Sequence, residues 1–223
     1  MGTSSTTFSQ SAKYANYEAT ALTRARYQRI SRIYDRLESL MERRVRPWRE
    51  RLWQSVTGPR VLEVGVGTGK NMPFWPLNCR ITAIDLTPGM LDIAQQRAKT
   101  LNRQSEELCL GDVQRLEFPS RVFDTVVSTF VFCSVPDPLK GLMEIRRVIR
   151  PGGQVLFLEH VRIDRPVVGS VMDALAPLIV RLNGANINRR TVENIRIAGL
   201  QIEHVENLDK MGMFKLVLAK SND

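Results

Sequence analysis

From Pro59 to the end of the chain, short runs rich in β-branched and aliphatic residues alternate with segments of helical spacing. The runs are RVLEVG, RITAIDL, EELCLGD, FDTVVSTFV, GQVLFLEHV, LQIEHVENL and FKLVLAKS. Stretches such as PGMLDIAQQRAKTLN and PLKGLMEIRRVIR lie between the early ones. Strand and helix in alternation imply a parallel sheet with helices on both faces. The last two runs are joined by DKMGM, too short for a crossover helix, so they should pair antiparallel. The expectation is an α/β, doubly wound sheet of seven strands with its last strand reversed, over residues 59–223. A chain of 223 residues suffices for one such domain and an added arm.

Upstream the texture differs. Residues 1–20 are polar, lack the apolar core of a leader, and are expected to form a flexible tail. From Leu22 to Trp53 apolar residues recur at helical spacing: Tyr27, Ile30, Tyr34, Leu37, Met41, Val45, Trp48 and Leu52. Arg29, Arg32, Arg36 and Arg43 occupy another flank. Residues 21–58 thus read as a basic amphipathic helical arm, with a break expected at Arg46-Pro47. Of the net charge of +9, most sits here: residues 1–60 carry twelve Lys/Arg against five Asp/Glu, and the rest twenty against eighteen. Such an excess suggests an anionic partner (membrane surface, nucleic acid or acidic substrate) or simply a solvated helix face.

Residues 164–188 interrupt the alternation between the fifth and sixth strands. Their apolar part, 167–180, contains Asp173 and Pro177 and is too short to span a bilayer. It is expected to be a lid, a lipid-facing segment or core packing. Three scattered cysteines and two histidines, with no CxxC pair, argue against a disulfide framework or a metal site. They favour a reducing, cytoplasmic setting.

The first strand runs into a turn, Glu63-Val64-Gly65-Val66-Gly67-Thr68-Gly69. Open α/β sheets bind ligands outside the C-terminal strand ends, and glycine there lets the backbone approach the ligand. The spacing GxGxG departs from the dinucleotide GxGxxG, and Lys70 is followed by Asn71 rather than by Ser or Thr, which disfavours phosphate cradling. Asp85 ends the second run, where a carboxylate can accept from both hydroxyls of a ribose. Asp112 ends the third, where one can accept from an exocyclic amine such as that of adenine. A ligand with ribose and adenine but no pyrophosphate fits the set.

With these motifs the chain resembles the class I S-adenosylmethionine-dependent methyltransferases over about residues 25–220. The likeness rests on ExGxGxG at 63–69, Asp85, Gly111-Asp112, and Arg150-Pro151-Gly152-Gly153. Within that family Ile33-Tyr34-Asp35, GTGKN and Phe132-Cys133-Ser134-Val135-Pro136-Asp137 are most similar to UbiE-like quinone methyltransferases and bacterial phosphatidylethanolamine N-methyltransferases. The resemblance implies a Rossmann-like fold and S-adenosylmethionine as cofactor, left as S-adenosylhomocysteine. It implies that Gly65 and Gly67 approach the methionyl part, that Glu63 is a further cofactor-binding residue, and that Thr129 lies at the methionine end. Asp85 would hold the ribose, with Leu86 and Met90 packing nearby, and Asp112 and Val113 would meet the adenine. Asn71 would be a further contact. Leu86, Met90 and Val113 also read as ordinary core, and Asp85 and Asp112 as helix N-caps, Asp85 preceding the helix start at Thr87-Pro88.

Methyl transfer from a sulfonium is an in-line displacement, for which positioning and desolvation can supply much of the rate. A base is needed only where the nucleophile starts protonated. Tyr34 and His160 are the catalytic candidates, the first closing over the cofactor and the second acting as base or orienting a head group; each also reads as packing or a structural histidine. Cys133 is more simply a small buried residue. The leading expectation is methylation of a phospholipid amine by a cytoplasmic enzyme peripheral at the inner membrane surface, its basic arm on anionic lipid. Quinone C-methylation, a small soluble apolar thiol, amine or phenol, and a non-catalytic cofactor-binding protein are the alternatives. Nucleic acid ranks below these, since no basic patch is interleaved with aromatic residues.

Overall fold

The computed structural model describes residues 4–103, 106–163, 165–183 and 186–221. Its strands are β1 (Arg60–Val64), β2 (Arg80–Asp85), β3 (Glu107–Leu110), β4 (Phe123–Thr129), β5 (Ile149–His160), β6 (Gln201–Asn207) and β7 (Phe214–Lys220). They form one seven-stranded sheet in the order β3-β2-β1-β4-β5-β7-β6. The first five pair parallel, and β7 runs antiparallel to both β5 and β6. This is the doubly wound sheet with a reversed final strand that the alternation requires. β5 starts earlier than its apolar run: Ile149 already pairs with Phe123, and the register shifts before Gln154 pairs with Thr125.

The helices are α1 (Ser4–Leu37), α2 (Ser39–Gln54), α3 (Pro88–Thr100), α4 (Pro138–Val148), α5 (Pro166–Asn183) and α6 (Thr191–Ile197). Leu62, Val64, Val126 and Phe157 join Leu142, Ile145 and Ile195 in one buried cluster, with α4 and α6. Val61, Ile81, Val127 and Leu156 join Leu52, Trp53 and Leu91 in another, with α2 and α3. Parallel strands covered on both sides read as near-continuous apolar runs for this reason.

The arm differs from expectation in two ways. Helix α1 begins at Ser4, inside the stretch 1–20 expected as a tail; only residues 1–3 of that stretch lie outside the described residues. The polar side chains there are partners: Asn16 donates to Gln114 at 3.1 Å, and Gln114 donates to Thr20 at 3.0 Å. The helix break falls at Glu38, and α2 runs through Pro47. An interior proline costs about 3 kcal/mol. Burial of Val45, Leu52 and Trp53 along α2 offsets it, at roughly 1.5–3 kcal/mol for each large apolar side chain. Lys70 spans the junction, pairing with Glu38 at 2.9 Å, Glu42 at 3.7 Å and Asp35 at 3.8 Å.

The insert forms α5, with residues 164, 184 and 185 outside the described residues. Val167, Val171 and Leu175 lie four apart and are exposed. Among the described residues no helix is long and apolar enough to cross a membrane, and no group of His, Cys, Asp and Glu is placed to hold a metal.

Candidate active site

Strand order reverses between β1 and β4, and a cleft opens beyond the C-terminal strand ends there, enclosing about 760 Å³ of space open to solvent. Gly65, Gly67, Asp85, Leu86, Met90, Asp112, Val113 and Thr129 line it, with Tyr34 and Tyr27 contributed by α1. The structure therefore brings together eight of the ten expected cofactor residues and one of the two catalytic candidates.

The turn after β1 needs its glycines. Gly65 and Gly67 have φ of +68° and +56°. A Cβ on Gly65 would stand 2.4 Å from Val131 Cγ2, whereas one on Gly67 would meet nothing within 4 Å. The Gly67 amide donates to Asp85 Oδ2 at 2.9 Å and the Thr87 amide to Oδ1 at 2.8 Å. Asp85 thus ties the glycine turn to the start of α3 while keeping lone pairs on both oxygens. Burial raises its carboxyl above the usual range, and the amides from Thr87 and Gly67 oppose this.

Asp112 is engaged by a residue that the motifs did not flag. Gln114 Nε2 donates to both Asp112 oxygens at 3.1 Å, and its Oε1 accepts from Asn16 and from the Asp137 amide. One buried amide therefore joins the β3 acid, the arm and the start of α4. The arm makes two more such contacts: Tyr27 Oη and Ser134 Oγ lie 2.5 Å apart, and Gln28 Oε1 accepts from the Gly89 amide at 2.8 Å. The Gly89 amide is a free donor in the first turn of α3, so the arm caps that helix. Asp35 accepts from Thr68 Oγ1 at 2.7 Å and pairs with Arg97.

Glu63 and Asn71 were expected against the cofactor, but neither lines the cleft. Glu63 is buried beneath the turn, accepting from Asn71 Nδ2 and Trp75 Nε1, each at 2.7 Å. Burial pushes its carboxyl up to about 7, against those bonds and Arg49. The pleat explains its place: β1 alternates, so Glu63 shares a face with Val61 rather than Val64. Asn71 also donates to Thr129 Oγ1 at 3.1 Å and accepts from Arg49 Nη1 at 3.0 Å. It borders a side cavity of about 340 Å³, which shares Tyr34, Gly65, Gly67, Thr129 and Phe130 with the cleft.

His160 also lies off the cleft lining. Its ring stacks on that of Phe130 with centroids 6.5 Å apart, and Phe130 is the residue on the lining. Burial lowers its pKa, and Nδ1 has no partner among the described residues. Neighbouring Glu159 is fully buried, its Oε1 accepting from Ser128 Oγ and from the amides of Val131 and Phe132 at 3.0–3.3 Å. Tyr34 does face the cleft, with Lys70 Nζ 5.1 Å from its ring centre. Burial first, and then Glu38, hold its hydroxyl well above the ordinary tyrosine value. Cys133 is buried, with its thiol pushed up to about 12.

Sequence reasoning missed Thr23, Tyr27, Gln114, Phe130 and Ser134. One signal was present: Asn16, Thr20, Thr23, Tyr27, Ser31 and Tyr34 recur every three or four residues, a polar and aromatic stripe facing the site.

The family pattern described as a methyltransferase domain matches residues 62–157, which run from β1 through most of β5. A phosphatidylethanolamine N-methyltransferase of Cereibacter sphaeroides is 38% identical over 120 residues, covering 53% of this chain and 59% of that protein. The chain thus spans less than two thirds of that relative. The human thiol S-methyltransferase TMT1A is 31% identical over 166 residues, covering 69% of this chain and 67% of that protein. A SAM-dependent methyltransferase of Thermotoga maritima superimposes with a TM-score of 0.66 at 18% identity, covering 90% of this chain and all of that one, a likeness of fold. Fold, glycine turn, strand-end acids and matched relatives converge: the chain belongs to the class I S-adenosylmethionine-dependent methyltransferases.

Proposed function

We propose that this protein transfers a methyl group from S-adenosylmethionine to an apolar acceptor, and that the acceptor atom is a thiol sulfur. The cofactor fits the donor set. Asp85 has lone pairs left for the ribose hydroxyls, and Gly67 leaves open space where any side chain would intrude. Asp112 and Val113 hold the adenine end, with Gln114 shifting off one Asp112 oxygen to admit the exocyclic amine. Leu86 and Met90 pack against the nucleoside, Gly65 and Gly67 approach the methionyl part, and Thr129 lies at its methionine end. When bound, the cofactor supplies a methyl group already activated on a sulfonium. Tyr34 and Tyr27, closing from α1, exclude water from the line of attack.

One observation carries the thiol reading: among the described residues, no histidine, lysine or glutamate lines the cleft. Its titratable residues are two tyrosines raised by burial and two aspartates engaged by amide donors. His160 stands behind Phe130. A thiol is a few per cent thiolate at pH 7 without help. An alkylammonium with a lysine-like pKa is roughly 0.04% neutral there. The human relative named for thiol S-methylation, matched over two thirds of its length, agrees with this.

A second reading, a phospholipid amine at a membrane surface, is favoured by the arm. Its exposed Leu22, Ile33, Leu37 and Leu40 are interspersed with exposed arginines, and α5 adds exposed Val167 and Val171.

A panel with labelled methyl donor decides between them: an alkanethiol, an aromatic thiol, a demethylquinol, and phosphatidylethanolamine in neutral and anionic vesicles. The thiols should turn over, and kcat/KM should rise with pH up to the acceptor's own thiol pKa, moving down in pH for the aromatic thiol. Turnover confined to the phospholipid, with a preference for anionic vesicles, would establish the second reading. A pH rise that stays fixed when the thiol is changed would place the ionising group on the protein and overturn the base-free reading.

A further inference from the structure

Over residues 16–37, helix α1 is held to the sheet by polar contacts rather than by buried apolar side chains. Its one buried residue there is Ser31, whereas α2 buries Val45, Leu52 and Trp53. The polar contacts nearest the β3 acid meet on Gln114, which is only 2% exposed. A side-chain amide offers two N–H groups and two lone pairs. Gln114 Oε1 accepts from Asn16 Nδ2 at 3.1 Å and from the Asp137 amide at 3.0 Å. Its Nε2 faces three acceptors with two hydrogens: Thr20 Oγ1 at 3.0 Å and both Asp112 oxygens at 3.1 Å. One N–H is therefore divided between the two carboxylate oxygens. Asp112 Oδ1 accepts as well from the Gln114 backbone amide at 2.9 Å, which leaves Oδ2 the less engaged of the pair.

An exocyclic amine arriving at Asp112 removes that mismatch. With the amine on Oδ2, Gln114 has one acceptor for each hydrogen, Oδ1 and Thr20. Without it, the amide is drawn toward the carboxylate, because a charged acceptor bonds more strongly than a hydroxyl. We infer that Gln114 couples the adenine amine to the arm: an occupied Oδ2 commits the second N–H to Thr20, and this fastens the part of α1 that walls the cleft at Thr23 and Tyr27. The coupling rests on the placement of adenine at Asp112 under the proposed function and adds a consequence for the arm. It is reciprocal, so a fastened arm in turn strengthens the binding of a ligand that carries the amine. A 6-oxo purine puts a carbonyl there, which offers Oδ2 no hydrogen and leaves the amide divided. Gln114 is thus a positioning residue, and it makes closure of the arm selective for a 6-amino purine.

The test is hydrogen exchange read by mass spectrometry on the full chain, free and saturated with S-adenosylhomocysteine or with S-inosylhomocysteine, whose purine carries oxygen in place of the amine. The adenosyl ligand should slow exchange over residues 16–27 by roughly 5- to 150-fold more than the inosyl one, the range of coupling between two sites. Exchange over α2, which is held by apolar burial, should not distinguish the ligands. Thr20→Val keeps the shape of the side chain and removes the acceptor, at a position outside the cleft lining. In that variant the extra slowing should be lost, and calorimetry should show S-adenosylhomocysteine weakened while S-inosylhomocysteine holds. Asn16→Ala, which frees the other side of the Gln114 amide, should act in the same direction. Equal slowing by the two ligands, or none by either, overturns the coupling, and that comparison needs no variant. Equal losses of affinity for both ligands in Thr20→Val would make the bond merely structural and overturn it too. If the unaltered protein bound neither ligand, the cofactor assignment itself would fall and the coupling with it, a result distinct from the others.

Discussion

At the scale of single residues, the glycine turn makes two neighbouring positions unequal. Gly65 and Gly67 both have left-handed backbone angles, which cost an ordinary side chain about 1–2 kcal/mol. Only Gly65 adds a collision, its Cβ falling 2.4 Å from Val131. Gly67→Ala should therefore lower unfolding free energy by about 1–2 kcal/mol, and Gly65→Ala by about 1–3 kcal/mol more, the usual cost of overpacking. Urea unfolding of the two variants checks the order; equal losses would mean that Val131 simply moves aside. What was legible at this scale follows the same logic. Gly65, Gly67, Asp85 and Asp112 occupy strand ends, where backbone form and edge position leave little choice. Glu63 and His160 were misplaced because proximity to a strand end does not say which face of the pleat a side chain takes. The alternation that buries Val61 beside α2 carries Glu63 there too. Gln114 escaped notice because its partners are Asp112, Asp137 and the arm, and only the folded chain brings the last of these near.

At the scale of elements, the arm holds most of what the sequence left unread. Apolar periodicity identified the helix, but the stripe that faces the cleft is polar and aromatic, and hydropathy does not weigh it. The stripe bonds to Gln114 and Ser134, and its helix neighbours Gln28 and Asp35 bond to Gly89 and Thr68, each requiring a partner distant in the chain. The proline signal misled for a related reason. Pro47 sits on the exposed side of α2, and the packing of Val45, Leu52 and Trp53 keeps the helix together around it. The helix therefore carries a local cost that tertiary contacts absorb. Pro47→Ala restores the missing donor and should stabilise the protein by about 1–2 kcal/mol, the interior-proline penalty less the greater freedom regained by the unfolded chain. A raised urea midpoint at unchanged slope would bear this out. A lowered midpoint would show that the ring itself contributes packing at this site.

At the scale of the whole molecule, the seven strands and the reversed last one were readable from the alternation and the short DKMGM link, whereas the strand order and the buried charges were not. Glu63 and Glu159 lie inside the two clusters, each with a carboxyl pushed up to about 7 by burial. Between the ordinary carboxylate range and that value, the folded protein binds more protons than the unfolded chain. Their contribution is therefore complete at mildly acid pH and is lost as pH rises to about 7, on the order of 3 kcal/mol for each. Other groups act oppositely. Glu144, lowered by Arg147, stabilises above the ordinary carboxylate range and ceases to do so in acid. His160, lowered by burial, favours folding as pH climbs toward its ordinary value. A difference experiment separates these effects. Glu159→Gln keeps an oxygen for Ser128, Val131 and Phe132 and removes the titration, leaving the other groups in place. Unfolding free energies measured from pH 4.5 to 8 should show the unaltered protein losing ground steadily to this variant up to about pH 7 and holding a constant gap above it. Parallel curves would mean that Glu159 stays ionised throughout. The orphaned Oε2 of Glu159 would then need a donor that the present packing does not supply.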